Sequence, residues 1–319
     1  DESIRYFSVS ADGSTIVFEK DMHIYSMKTN RGTAEKINIR ISTDDRLNPS
    51  EQKTFTADAT DYQVSPNGKL LAYNVRGEIF VKETDKDKPR SINVSNHSFR
   101  DVEPTWLNDS TMLFCSDRLN GNFNIFMLTS GDSMQSNIYK TLKHKTAQIT
   151  NTINDETSLN ISPDGRKIAY IRGRGTLIVA DINEYGQMTN EVVLSNSWDG
   201  PEDLSWSPDS KWLAYSLNDL YFNQEVYIQS VDNKIGPVNV TMHPRRDHSP
   251  FWSLDGTKLG FISERSADRS EDIWFIWLKR EDWEKDTQDW QYKDEVDSDS
   301  SKSAPENDKN KVKDIKIDL

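Results

Sequence analysis

Ser162-Pro163-Asp164-Gly165-Arg166-Lys167-Ile168-Ala169-Tyr170 decides the fold, because it is a turn that runs straight into a short apolar strand and because the chain repeats it. Proline fixes φ at the first central turn position, aspartate accepts the backbone N–H groups that follow it, and glycine takes the positive φ that closes a hairpin. The turn recurs as Ser10-Ala11-Asp12-Gly13, Ser65-Pro66-Asn67-Gly68, Leu107-Asn108-Asp109-Ser110, Ser207-Pro208-Asp209-Ser210 and Ser253-Leu254-Asp255-Gly256. Each copy leads into an apolar stretch ending in an aromatic, at Phe18, Tyr73, Phe114, Tyr170, Tyr215 and Phe261. The turn carboxylates and amides therefore read as structural.

Every repeat then carries another short β-branched or aromatic run: Ile24-Tyr25-Ser26-Met27, Ile79-Phe80-Val81, Ile125-Phe126-Met127-Leu128, Leu177-Ile178-Val179, Val226-Tyr227-Ile228 and Ile273-Trp274-Phe275-Ile276. Such runs suit a pleated surface. A further strand is marked between most repeats, at Ile37-Asn38-Ile39, Ser91-Ile92-Asn93-Val94, Gln148-Ile149-Thr150 and Val238-Asn239-Val240. Four strands per unit, repeated six times, predict an all-β, six-bladed β-propeller of four-stranded antiparallel blades, in which each sheet covers its faces against its neighbours. The aromatic residues above, with Trp106, Trp206 and Trp252, are expected to pack between blades.

Composition narrows the chemistry. The chain has 319 residues, 39 basic against 52 acidic side chains, and a formal net charge of −13. That sign repels phosphate backbones and argues against nucleic acid as a partner. A single cysteine, Cys115, excludes an internal disulfide and cysteine-based zinc sites. No apolar run approaches the length of a membrane span. The chain begins at Asp1 without a signal-like segment, which we read as an excerpt from a longer protein.

Residues 1–280 form the expected propeller. Two polar insertions, at about 42–58 and 129–147, read as loops on one rim. Residues 281–311 read as a charged linker, with a short helix carrying Trp283 and Trp290 and then a disordered part. Residues 312–319 place Ile315, Ile317 and Leu319 on one side and read as a strand returning to the last blade, so that each blade is completed from its own sequence.

Ser116-Asp117-Arg118 followed by Gly121-Asn122-Phe123-Asn124-Ile125-Phe126, the Ser-Pro-Asp-Gly turns, and Glu103-Pro104-Thr105-Trp106 ahead of a turn resemble the TolB-like and tricorn-like propeller repeat. The resemblance covers about residues 4 to 279. The tail, from Lys279-Arg280-Glu281-Asp282-Trp283-Glu284 through the charged linker to Val312–Leu319, is similar to the segment leaving a propeller in bacterial homologues of the tricorn protease. The resemblance implies a non-catalytic propeller of a serine peptidase, binding or filtering peptides or unfolded polypeptide on the way to an active site. Its partners would be the peptidase and PDZ parts of the same parent chain, in a parent that can be a homo-oligomer. It implies no cofactor and an exported or periplasmic location, a cytoplasmic one being the alternative. The other reading is a TolB-like protein–protein interaction propeller without peptidase activity.

No Gly-x-Ser-x-Gly nucleophile turn occurs, and Cys115 reads as a buried, inert thiol. Arg172-Gly173-Arg174-Gly175 reads as a tight turn. The stretch from Met242 to His248 contains His243, Arg245, Arg246, Asp247 and His248. It reads as a solvated loop, as an arginine clamp on a peptide carboxylate, or as a metal site, the last disfavoured by the ligand spacing. Counting back from the ends of the innermost strands gives Asp61, Asp101, Glu103, Glu156, Glu202, Asp203 and Asp247. These carboxylates either accept backbone N–H groups between adjacent blades or form an acidic funnel mouth that favours basic peptides.

Overall fold

Alternation of side chains along each short strand gives every sheet two apolar faces, and the fold follows from how those faces are covered. The computed structural model describes residues 4–30, 32–40, 55, 57–286, 289 and 314–318. It is all-β and divides into two units, Asp1–Thr56 and Ala57–Leu319. Most of the first insertion, most of the linker including Trp290, and Val312, Lys313 and Leu319 lie outside the described residues.

The first unit holds one antiparallel sheet of β1 (Arg5–Val9), β2 (Thr15–Lys20), β3 (His23–Lys28) and β4 (Ala34–Lys36), in that order. Phe18 is its buried residue, stacked on Tyr25 across the β2–β3 pair.

The second unit holds five antiparallel sheets. The second sheet of the chain is β5 (Ala59–Val64), β6 (Leu70–Val75), β7 (Glu78–Glu83) and β8 (Ser91–Asn93). The third is β9 (Asp101–Asn108), β10 (Thr111–Ser116), β11 (Asn124–Ser130) and β12 (His144–Gln148). The fourth is β13 (Glu156–Ile161), β14 (Lys167–Arg172), β15 (Thr176–Ile182) and β16 (Met188–Asn196). The fifth is β17 (Glu202–Trp206), β18 (Trp212–Asn218), β19 (Gln224–Ser230) and β20 (Val238–Asn239). The sixth has three strands among the described residues, β21 (Asp247–Trp252), β22 (Lys258–Ser263) and β23 (Asp272–Trp277), where four were expected. A single turn of helix, α1 (Arg280–Trp283), follows.

The six turns that punctuate the sequence join the first two strands of each sheet. Five of them share one hydrogen-bond set. In the fourth sheet, Ser162 Oγ donates to Asp164 Oδ1 and accepts the Lys167 N–H, and the same Asp164 oxygen accepts the Arg166 N–H. Ser207 with Asp209 and Ser253 with Asp255 repeat it. The turn acids are structural, as their sequence context suggested.

Four apolar clusters lie between successive sheets of the second unit. On β14, Ile168 and Tyr170 face the third sheet while Ala169 and Ile171 face the fifth, the period of two seen directly. Phe114, Tyr170, Tyr215 and Phe261 each point toward the sheet before their own and are almost wholly buried. Trp106 and Trp206 are buried with them, and Trp252 is half-buried. Each indole N–H donates to a backbone carbonyl of the preceding innermost strand: Trp106 to Gln63 (3.1 Å), Trp206 to Asn160 (3.2 Å) and Trp252 to Ser205 (3.1 Å).

The insertion at 129–147 is not only a polar rim loop. It delivers Ile138, fully buried, and Tyr139 into the cluster between the second and third sheets. The tail makes its own contribution. Residues 314–318 are not assigned as strand, but Ile315 is buried and Ile317 partly buried in the cluster between the fifth and sixth sheets. The Asp318 N–H donates to the Leu278 carbonyl, just past the end of β23 (2.9 Å).

Candidate functional site

The innermost strand of every sheet carries a β-bulge, seen as a register shift against the second strand. At each bulge one non-glycine residue has positive φ: Tyr6 in the first unit, and Asp61, Glu103, Ser158, Asp203 and Ser249 in the second. Bulges of this kind re-aim a side chain, and the left-handed backbone costs about 1–3 kcal/mol unless contacts hold it. In two places the holding contact is a carboxylate from the preceding sheet. Glu103 Oε2 accepts the N–H groups of Ser158 and Leu159, and Asp203 Oδ2 accepts the Ser249 N–H (3.0 Å) together with the Ser216 hydroxyl (2.7 Å).

The seven candidate carboxylates therefore separate into distinct environments. Asp101, Glu156 and Asp247 open their strands and are fully buried, each paired with an arginine that follows the second strand or ends it. Arg118 Nη2 reaches both Asp101 oxygens (2.8 and 2.9 Å), Arg172 Nε reaches Glu156 (2.9 Å), and Arg265 Nη2 reaches Asp247 (2.8 Å). The guanidinium groups also lie over the aromatic residues of the core: Arg118 over Phe114 and Phe126, Arg172 over Tyr170, and Arg265 over Phe261 and Trp274. These three acids fasten the sheets and present no free charge. Asp61, Glu202 and Asp203 are exposed. Glu103 lies between the two groups, with burial pushing its carboxyl up from the usual range while the Leu159 and Ser158 N–H groups pull it down.

That upward shift has a sign that can be tested. A carboxyl with a raised folded pKa binds its proton more tightly when folded, so its contribution to stability falls as pH rises from the unfolded value toward the folded one. Glu103→Gln can still accept the Ser158 N–H and does not titrate. In urea denaturation at a series of pH values, the variant should lose part of the decline in stability that the parent shows above about pH 4.5. Parallel curves for the two proteins would refute this.

Arg245 and Arg246, one reading of which is a clamp on a peptide carboxylate, each hydrogen-bond within the chain. Arg245 Nη1 donates to the Glu264 and Ser266 carbonyls (3.0 and 2.7 Å). Arg246 Nε donates to Gln224 Oε1 (2.7 Å), and Gln224 Nε2 in turn donates to Glu202 Oε2 (3.1 Å). Gln224 thus brings Arg246 and Glu202 together across two sheets.

His248 is flanked by Ser249 Oγ at Nδ1 (2.9 Å) and Glu271 Oε1 at Nε2 (3.3 Å), a serine–histidine–acid chain. A nucleophile there would need N–H donors for a developing oxyanion. The Ser249 N–H is already given to the Asp203 carboxylate, whose charge would repel that oxyanion. Cys115 is fully buried, and burial with the nearby Glu103 pushes its thiol well up, which keeps it protonated. Among the described residues, no group of three or more His, Cys, Asp or Glu side chains is placed to hold a metal ion. No described helix is long and apolar enough to cross a membrane.

The sequence reading missed the three arginine partners. Their signal was present as Phe114-Cys115-Ser116-Asp117-Arg118 and Phe261-Ile262-Ser263-Glu264-Arg265, the same spacing in two repeats.

Six antiparallel sheets of three or four strands, each opening with the repeated turn between its first two strands, define a β-propeller domain. Comparison with known proteins adds the kind. No family model matches the chain. A tricorn protease homolog of Saccharolobus solfataricus is 23% identical over 254 residues, covering 67% of this chain and 23% of the relative. The crystal structure of the tricorn protease superposes with a TM-score of 0.53 at 18% identity, over 88% of this chain and 27% of that one. A protein described as a TolB from Agrobacterium tumefaciens gives 0.50 at 17% identity, over 69% of this chain and 77% of that one. The chain is a β-propeller domain similar in sequence to part of a tricorn protease homolog and in fold to the tricorn protease and TolB, and it spans about a quarter of the length of the tricorn relatives it matches.

Proposed function

We propose that this chain is the non-catalytic propeller region of a tricorn-like serine peptidase and that it binds or filters peptides on their way to the active site. The observation that carries the reading is the alignment of 67% of the chain to 23% of a tricorn protease homolog, a likeness confined to one part of a much larger protein. Exposed carboxylates at the strand entrances, Asp61, Glu202 and Asp203, support a preference for basic side chains and amino termini. The buried acids take no part in this field, because arginine neutralises each of them.

Lysine-rich and glutamate-rich fluorescent peptides, titrated with the chain at low and high salt, test the reading. The combined variant Asp61→Asn, Glu202→Gln, Asp203→Asn should weaken the lysine-rich peptide roughly five- to tenfold at low salt and, because an amide oxygen at position 203 can still accept the Ser249 N–H and the Ser216 hydroxyl, lower the melting temperature only slightly. Equal binding of both peptides, or no effect of the variant, would remove the filter. A TolB-like docking role is then the reading that remains, favoured by the 77% of the TolB chain that this fold covers.

A further inference from the structure

The hairpin between β18 and β19 exposes three consecutive large apolar side chains, Leu220, Tyr221 and Phe222, at 78%, 85% and 76% of their full accessibility. Such a run at a loop tip is unfavourable in water unless something covers it. The loop is also closed by its own hydrogen bonds. Asp219 Oδ1 accepts the N–H groups of Tyr221 (2.7 Å) and Asn223 (2.9 Å), Asn223 Nδ2 donates to Asp219 Oδ2, and the Phe222 N–H returns to the Asp219 carbonyl. Phe222 itself sits at φ +62°, a conformation that bulky residues avoid. The ring meets Trp198, from the β16–β17 connection, edge to face at 5.4 Å. That connection is tied to the same hairpin by Asn218 Nδ2, which donates to Asp199 Oδ2 (2.7 Å).

A positive φ at a bulky residue, exposure and a hydrogen-bonded turn in one loop mark a surface suited to contact. Its surroundings say with what. Gln224, the residue after Asn223, holds the exposed Glu202, whose neighbour in sequence is the exposed Asp203. Aromatic rings on a hairpin whose base holds the Glu202 carboxylate through Gln224 complement an apolar side chain near a cation. An anionic lipid surface would be repelled by the same acids.

We infer that Trp198, Tyr221 and Phe222 form an aromatic grip for extended peptides that carry an aromatic or large aliphatic side chain adjacent to lysine or arginine. The inference rests on the peptide-binding reading above and names the substrate class that the carboxylates alone do not select. Apolar contact supplies the affinity, and Glu202, held at the base of the hairpin by Gln224, orients the basic residue.

Two labelled peptides of equal charge test it, one with Lys-Phe pairs and one with Lys-Ala pairs, titrated with the full chain by fluorescence anisotropy. The Lys-Phe peptide should bind about fivefold more tightly. Phe222→Gly keeps the positive φ without strain, so it should preserve or raise the melting temperature while bringing the Lys-Phe peptide to the affinity of the Lys-Ala one. Tyr221→Ser, which leaves that backbone alone, should move the Lys-Phe peptide in the same direction. If both peptides bind alike, or if these variants change neither, the grip is overturned while the charge-based reading stands, provided the carboxylate variant still weakens both. If neither peptide binds the unmodified chain, both readings fall together.

Discussion

Arg118→Met should destabilise the protein by about 3–5 kcal/mol, because it leaves the Asp101 carboxylate fully buried without its partner. Methionine keeps an apolar stem over Phe114 and Phe126, so the loss reports the charge rather than the packing. The companion variant, Asp101→Leu with Arg118→Met, should recover much of that loss, since no charge is then left in the interior. The adjacent pair gives the contrast. Arg100 binds Asp117 at 2.8 Å, but its side chain is 67% exposed, and Arg100→Ala should cost no more than about 1 kcal/mol. Urea denaturation of the four proteins measures all of this. A loss below about 1 kcal/mol for Arg118→Met would mean that Asp101 reaches water or takes up a proton.

Trp106→Ala is expected to cost a similar amount, about 3–5 kcal/mol, for a different reason. The indole is 3% exposed and closes the cluster between the second and third sheets. Trp106→Phe keeps most of the apolar contact and loses the bond to the Gln63 carbonyl, which should cost about 1–2 kcal/mol. Because the same bond recurs at Trp206 and Trp252, the alanine series should rank by burial, with Trp252 the mildest. The denaturation midpoint at constant slope gives the ranking. An equal effect at Trp106 and Trp252 would show that the hydrogen bond, rather than the buried ring, dominates.

What could be read from the sequence was whatever repeats locally. The Ser-Pro-Asp-Gly turn and the aromatic that follows it fixed the strand boundaries, since each depends on a few adjacent residues. The face that Tyr170 or Phe261 presents followed from alternation. The candidate site was less legible, because a bulge interrupts alternation. Asp101 and Glu103 lie two residues apart and would share a face on a regular strand, yet the positive φ at Glu103 sends one into an arginine pair and the other to the next sheet. No glycine marks that bulge, so counting back from the strand end merged two positions into one. β16 was unmarked because Thr189, Asn190 and Glu191 break up its apolar residues. Ile138 was hidden in a segment whose composition is polar, although the structure buries it completely.

The arginine pairs of the third, fourth and sixth sheets also give the molecule an uneven response to heat. Hydration of charged groups becomes less favourable as temperature rises, so the penalty for keeping those charges dry shrinks, whereas the gain from burying apolar surface levels off. In the second sheet, Ala59 stands at the position that Asp101 and Asp247 occupy in theirs. Within the second unit, warming therefore favours the three fastened sheets over the second and the fifth, whose first strands open without a buried, arginine-paired carboxylate.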